Sequence, residues 1–235
     1  PLHSTPPPDD AGRAVPALRF CMVTTFYPPH SFGGDAIAVQ SLARALVRRG
    51  HAVAVVCDRD AFAALSPDDP PAADDDGADG VVVHRLASRL GALSPLLTQQ
   101  TGRPVVHAAA LERIFGGGRF DVVHFHNVSL VGGPGVLRYG DGVKLYTAHE
   151  HWLVCPTHVL WRFGREPCPA RKCLRCTLKA GRPPQLWREG GVVTRDIDRV
   201  DAFIALSEFS RRKHHEFGFP REMEVLPGFV ADAPV

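Results

Sequence analysis

The stretch "RFCMVTTFYPPHSFGGDAIAVQSLARALVRRGHAVAVVC", Arg19 to Cys57, decides the fold. Residues 18–29 read as an apolar strand that stops at Pro28-Pro29. A glycine-bearing loop follows, with Gly33 and Gly34 side by side. Val39, Leu42, Ala43, Leu46 and Val47 then recur at the i, i+3, i+4, i+7, i+8 spacing of one helical face. Asp35 suits a cap at the helix start, Arg48 and Arg49 suit its last turn, and Gly50 suits the position just past it. Residues 51–57 read as a second buried strand. Strand, helix and strand in succession make a βαβ unit, which requires parallel pairing.

Outward from this unit the same alternation continues. Strands are expected at 81–86, 120–127, 143–149, 201–207 and 222–228. Helices are expected over 95–115, within 129–139 and over 208–217. This is the pattern of an α/β domain, a Rossmann-like doubly wound parallel sheet of about seven strands. Residues 150–187 break it, and are too long for an ordinary connection, so they form an irregular Cys-rich insertion. Residues 1–17 are Pro-rich and polar and are expected to be disordered. They begin without Met, the expectation for a processed or partial chain. The six-Asp run in 66–80 reads as a solvated loop.

Totals narrow the function. The 235 residues carry a net charge of +2, which gives no global case for nucleic acid. No run of eighteen apolar residues occurs, and the N-terminus lacks the apolar stretch of a secretory signal. A reducing, cytoplasmic compartment is therefore expected, and there clustered Cys bind metal more often than they pair.

In a doubly wound sheet the ligand site lies beyond the carboxyl ends of the strands. Gly33 and Gly34, before a helix, let backbone approach a ligand, and the helix N-terminus favours an anion. His124 and His126 lie two apart on one strand face. His124 reads as a satisfied core residue, while His126 stands at the strand end. His149 ends its own strand, where an imidazole can donate to a hydroxyl or move a proton. Glu150 can orient it or accept from a substrate hydroxyl. Cys155, Cys168, Cys173 and Cys176 include a two-residue Cys173–Cys176 knuckle, and four thiolates would close a tetrahedral zinc with a structural role. His151 and His158 are alternative ligands for that zinc. From Arg162 to Arg188, eight basic residues face the single acid Glu166, with Trp161, Phe163 and Trp187 among them. Such a loop suits an anionic partner or peripheral contact with an anionic inner membrane face. An oxidoreductase reading is weak, because no G-x-G-x-x-G follows the first strand and Asp58 is the sole acid placed for a ribose.

The order of the Arg19–Cys57 stretch, "DVVHFHN", "LYTAHEHWLVCP" and "DAFIALSEFSRRKHHEFGFPREMEVLPGFV" resembles the N-terminal, acceptor-side domain of a family-four, group-one glycosyltransferase of the GT-B fold, in its Cys-rich subset. The resemblance covers about residues 18–232. It implies one half of a GT-B fold, transfer of a hexosyl or related sugar with retention of configuration, and a nucleotide-sugar donor. The acceptor would be a glycan, a lipid-linked sugar or a small molecule, and no catalytic metal is expected. His149 matches the His that contacts the transferred sugar, and Gly33-Gly34 match the family's glycine loop. Glu150 stands where the subset usually has Asp, and Pro227-Gly228 where the hinge commonly has Asn-Gly. A C-terminal donor-binding domain is missing from this chain, so it is expected to be inactive alone. The competing expectation is a non-catalytic, zinc-braced module that binds an anionic partner.

Overall fold

The computed structural model describes residues 16–66 and 79–228. The acidic run at 66–80 and the segment 1–17 therefore fall mostly outside the described residues. Seven strands form one sheet: β1 (Arg19–Val23), β2 (Ala52–Asp58), β3 (Val82–Leu86), β4 (Val122–Phe125), β5 (Val143–Ala148), β8 (Ala202–Ala205) and β9 (Glu224–Val225). Their order is β3-β2-β1-β4-β5-β8-β9, and every pairing is parallel. Order reverses at β1, where the chain has wound one way to β3 and then crosses to β4. The gap beyond the ends of β1 and β4 is thus the switch point at which such sheets bind ligands.

The period-two reading of the strands explains the layering. Cys21 and Val23 face one side, with Val123, Phe125, Tyr146 and Phe203. Met22 faces the other, with Val53, Val55 and Cys57. Helix α1 (Gly34–Arg48) covers the second face through Val39 and Ala43, both fully buried. On the first face lie Leu111 of α4 (Ala108–Gly117), Ile197 of α6 (Val192–Ile197) and the turn bearing Val136 and Leu137. Each such aliphatic side chain removed from water contributes roughly 1.5–3 kcal/mol.

Three local expectations change. The single helix expected over 95–115 is two, α3 (Leu93–Thr101) and α4. Gly102 separates them with φ of +67°, and a Cβ there would meet the Trp187 ring at 3.0 Å. The left-handed turn and the indole against it both require glycine. Helix α2 (Arg59–Leu65) was not expected; the Asp58 carboxylate caps it by accepting from the Ala61 amide at 2.9 Å. Asp35 does not cap α1, whose N-cap is Gly33, without a side chain. Gly50 does follow the helix with φ of +83°.

The insertion is ordered by its own short elements: a hairpin of β6 (Trp161–Arg162) and β7 (Glu166–Pro167), and α5 (Cys173–Lys179). The last helix, α7 (Glu208–Glu216), packs beside β8 and β9. Among the described residues no helix is long and apolar enough to cross a membrane.

Candidate functional site

The switch-point rim is built from four pieces of chain. The segment after β1 supplies Thr25, the start of α1 supplies Gly33, Gly34 and Asp35, the end of β4 supplies His126 and Asn127, and the end of β5 supplies His149. Parallel pairing brings them to one edge, because every strand of the sheet ends on the same side.

The histidines form a stack. His124 and His126 rings lie 4.2 Å apart between centroids, as the i, i+2 spacing requires. His124 Nε2 is 2.8 Å from the Thr147 hydroxyl. His126 Nδ1 is 3.0 Å from His149 Nε2. Burial lowers the proton affinity of all three: His124 falls to about 4, and His126 and His149 are also held below their ordinary value. Asp35 and Glu150 oppose this at His149. The stack is therefore neutral at pH 7. His126 Nε2 is buried without a hydrogen-bond partner. An orphaned acceptor is better tolerated than an orphaned N–H. That favours the tautomer in which His126 Nδ1–H donates to His149 Nε2. The His149 proton then sits on Nδ1, the nitrogen His126 does not engage.

Around the stack the polar groups are cross-braced. Asn127 donates from Nδ2 to the Asp35 carboxylate at 3.3 Å. Asn127 Oδ1 accepts from the Ser129 hydroxyl at 2.7 Å and from the Thr25 hydroxyl at 3.4 Å. The sequence reading gives Asp35 only a helix-capping role and Asn127 no role at the rim, though the Asn follows His126 directly. Gly33 has an extended backbone, and a Cβ at Gly34 would meet nothing within 4 Å. Neither glycine is demanded by packing or by φ, so the bare backbone faces open space.

Glu150 turns elsewhere: its carboxylate lies 2.6 Å from His158 Nδ1. His151 stacks on the buried His214, ring centroids 5.1 Å apart. His151 and His158 thus each meet a partner outside the cysteine set. The four thiols share a neighbourhood, since Cys155, Cys173 and Cys176 each help burial push the Cys168 thiol up. No three of their sulfurs lie within 4.8 Å of one another, and the one described group of ligand atoms that does is Asp58, Asp60 and His107.

Beside the rim opens a cavity of about 540 Å³, walled by Phe26, Leu65, Leu96, Leu130 and Val159 and edged by Asn127 and His158. Of the basic residues in the insertion, Arg188 is not a surface charge. Its guanidinium stacks on Trp152 and Trp187 at 4.8 and 4.9 Å. Trp187 donates to the Gln99 carbonyl. Both residues are half-buried within the fold. Asp58, considered for a ribose, is buried as the α2 cap.

No curated protein matches the chain at a significant level. The model of Glycosyltransferase Family 4 matches residues 32–233, nearly the whole described sheet and its insertion. With the strand order reversing at a polar rim and that match spanning most of its length, the chain belongs to glycosyltransferase family 4.

Proposed function

We propose that the chain is the acceptor-side half of a retaining glycosyltransferase that moves a hexosyl or related sugar from a nucleotide-sugar donor, with His149 touching the transferred sugar. The observation that carries this reading is the His126–His149 contact of 3.0 Å at the strand-order switch. It fixes one imidazole at the mouth of the rim with a donor nitrogen turned away from its partner. In the transfer, the bond from the anomeric carbon to the diphosphate breaks and a bond to an acceptor oxygen forms. Charge develops on the leaving diphosphate, whose oxygen takes up the proton that leaves the acceptor hydroxyl. Neutral His149 can donate to a sugar hydroxyl through Nδ1. The start of α1, with Gly33 and Gly34 open to solvent and the Ala36 amide held by Asp35, offers a surface for a phosphate or a sugar. A donor-binding domain would close over this rim and supply cationic groups for the diphosphate, so activity is expected only when both halves are present.

The apolar walls of the adjacent cavity favour, among glycan, lipid-linked and small-molecule acceptors, one that carries an apolar group. On α5, Leu174 and Leu178 are exposed one turn apart, among Arg171, Arg175 and Lys179. That face suits peripheral contact with an anionic membrane at the cytoplasmic side. A structural zinc on Cys155, Cys168, Cys173 and Cys176 belongs to the same reading, with the sulfurs drawing closer around the ion. Glu150, paired with His158, serves as a brace of this wall.

The test is turnover by the two-domain enzyme with a panel of nucleotide sugars, comparing native protein with His149→Ala. Loss of transfer by two or more orders of magnitude, with the circular-dichroism spectrum unchanged, is expected. Full activity in the variant would overturn the assignment.

A further inference from the structure

We propose that Asp58, Asp60 and His107 form a divalent-cation site of zinc size, buried behind the cavity wall and separate from the His149 rim and from the four thiols. One ligand atom from each of Asp58, Asp60 and His107 lies within 4.8 Å of the other two. His107 Nε2 is 3.4 Å from Asp60 Oδ2 and 3.9 Å from Asp58 Oδ2. Ligands about 2.0–2.2 Å from a tetrahedral zinc stand roughly 3.3–3.6 Å apart, so slight side-chain motion closes the shell.

Two features set this group apart from an ordinary acidic cluster. It is interior: the three residues are 2, 6 and 3% exposed. And Asp58 Oδ2 has no hydrogen-bond partner, although Oδ1 of the same carboxylate accepts from the Ala61 amide. A buried carboxylate oxygen without a donor is costly unless a cation or a proton meets it. Two serine hydroxyls touch the prospective ligand atoms themselves. Ser88 Oγ donates to Asp60 Oδ2 at 2.6 Å. Ser94 Oγ lies 2.9 Å from His107 Nε2, so an ion on that nitrogen would replace this contact and the hydroxyl would turn toward the ion as a fourth ligand. Two carboxylates would neutralise a dication. The imidazole and the small number of ligand groups favour zinc over magnesium, which keeps several waters, and over calcium, which takes six to eight oxygens.

The ligands come from separate elements. Asp58 ends β2, Asp60 lies in the first turn of α2, and His107 precedes α4, while Ser94 sits in α3. An ion here would tie α2 and α3 together from behind, and these helices carry Leu65 and Leu96 into the cavity. The role is structural: the ion would hold the acceptor wall.

The experiment uses the whole chain, stripped with chelator and reloaded with cadmium-113 or with zinc, beside Asp60→Asn and His107→Gln. Cadmium NMR of the native chain should give a resonance in the oxygen/nitrogen-ligand region, well separated from any thiolate-ligated signal. Both variants should lose that resonance and hold one equivalent of zinc less. Zinc should raise the melting temperature of the native chain more than that of either variant. Absence of the oxygen/nitrogen resonance, or equal zinc content in native and folded variant protein, would overturn the proposal and leave a protonated carboxyl network. Should a variant not fold, the native cadmium spectrum decides alone.

Discussion

Acidification should unfold this protein through its histidine stack. His124 has an ordinary value of 6.5 and is held at about 4 by burial, beside His126 and His149. Above about pH 6.5 both folded and unfolded chains carry a neutral imidazole, and the residue imposes no cost. As pH falls below that, the unfolded chain binds a proton that the folded chain refuses. Stability then drops until the pH reaches the folded value, where the loss levels off. Integrating proton binding between the two values gives a loss of about 2 kcal/mol from pH 7 to pH 5 and about 3 kcal/mol by pH 4 for His124 alone. His126 and His149 act in the same direction. Urea unfolding at several pH values, for native protein and His124→Gln, isolates the effect. The variant loses stability at neutral pH with the Thr147 bond. Its pH dependence should nonetheless be flatter by about 2 kcal/mol between pH 7 and pH 5. Parallel curves would mean that His124 is not buried as a neutral ring, and the tautomer argument for His149 would fall with it.

Other outcomes follow from the same coordinates. Gly34→Ala should leave stability unchanged or raise it by up to about 1 kcal/mol, since helix propensity improves and the methyl meets nothing, yet it should impair transfer if ligand approaches that backbone. Equal activity in Gly34→Ala and native two-domain enzyme would remove Gly34 from the site. Arg138→Ala strands the Asp196 carboxylate, which is fully buried and accepts from Arg138 Nε and Nη2 at 2.9 and 2.8 Å. Thermal or urea unfolding should show a loss of about 2–3 kcal/mol, below the fully buried case because Arg138 is partly exposed. Leu111→Ala, at a fully buried position on α4, should lose about 2–5 kcal/mol by the same measurement. Sedimentation with vesicles rich in phosphatidylglycerol should pull down the chain at low salt. Binding should weaken as salt rises, and again in Leu174→Ser/Leu178→Ser; salt-independent binding would rule out the α5 face.

The strand and helix alternation was readable because it depends on local spacing. Val39 and Ala43 fall on one helical face and Met22 and Val23 on opposite strand faces whatever surrounds them. The βαβ unit then dictated parallel pairing and placed every strand end, including His126 and His149, at one rim. The split between α3 and α4 escaped that reading, because a glycine within a helical pattern becomes a stop only when Trp187, far along the chain, packs over it. The basic loop was only half legible, because Arg188 and Trp187 look like surface residues until they are found against Trp152.

The sequence alone determined the sheet, its direction and the rim at which such sheets bind ligands, since these follow from periodicities of two and three-to-four residues. Only the tertiary structure decided partners. Glu150 met His158 rather than His149, Asp35 met Asn127 as well as the Ala36 amide of its own helix, and Asp58 came together with Asp60 and His107. Side-chain partnership depends on which distant segments share a few ångströms of space, and no local pattern carries that information.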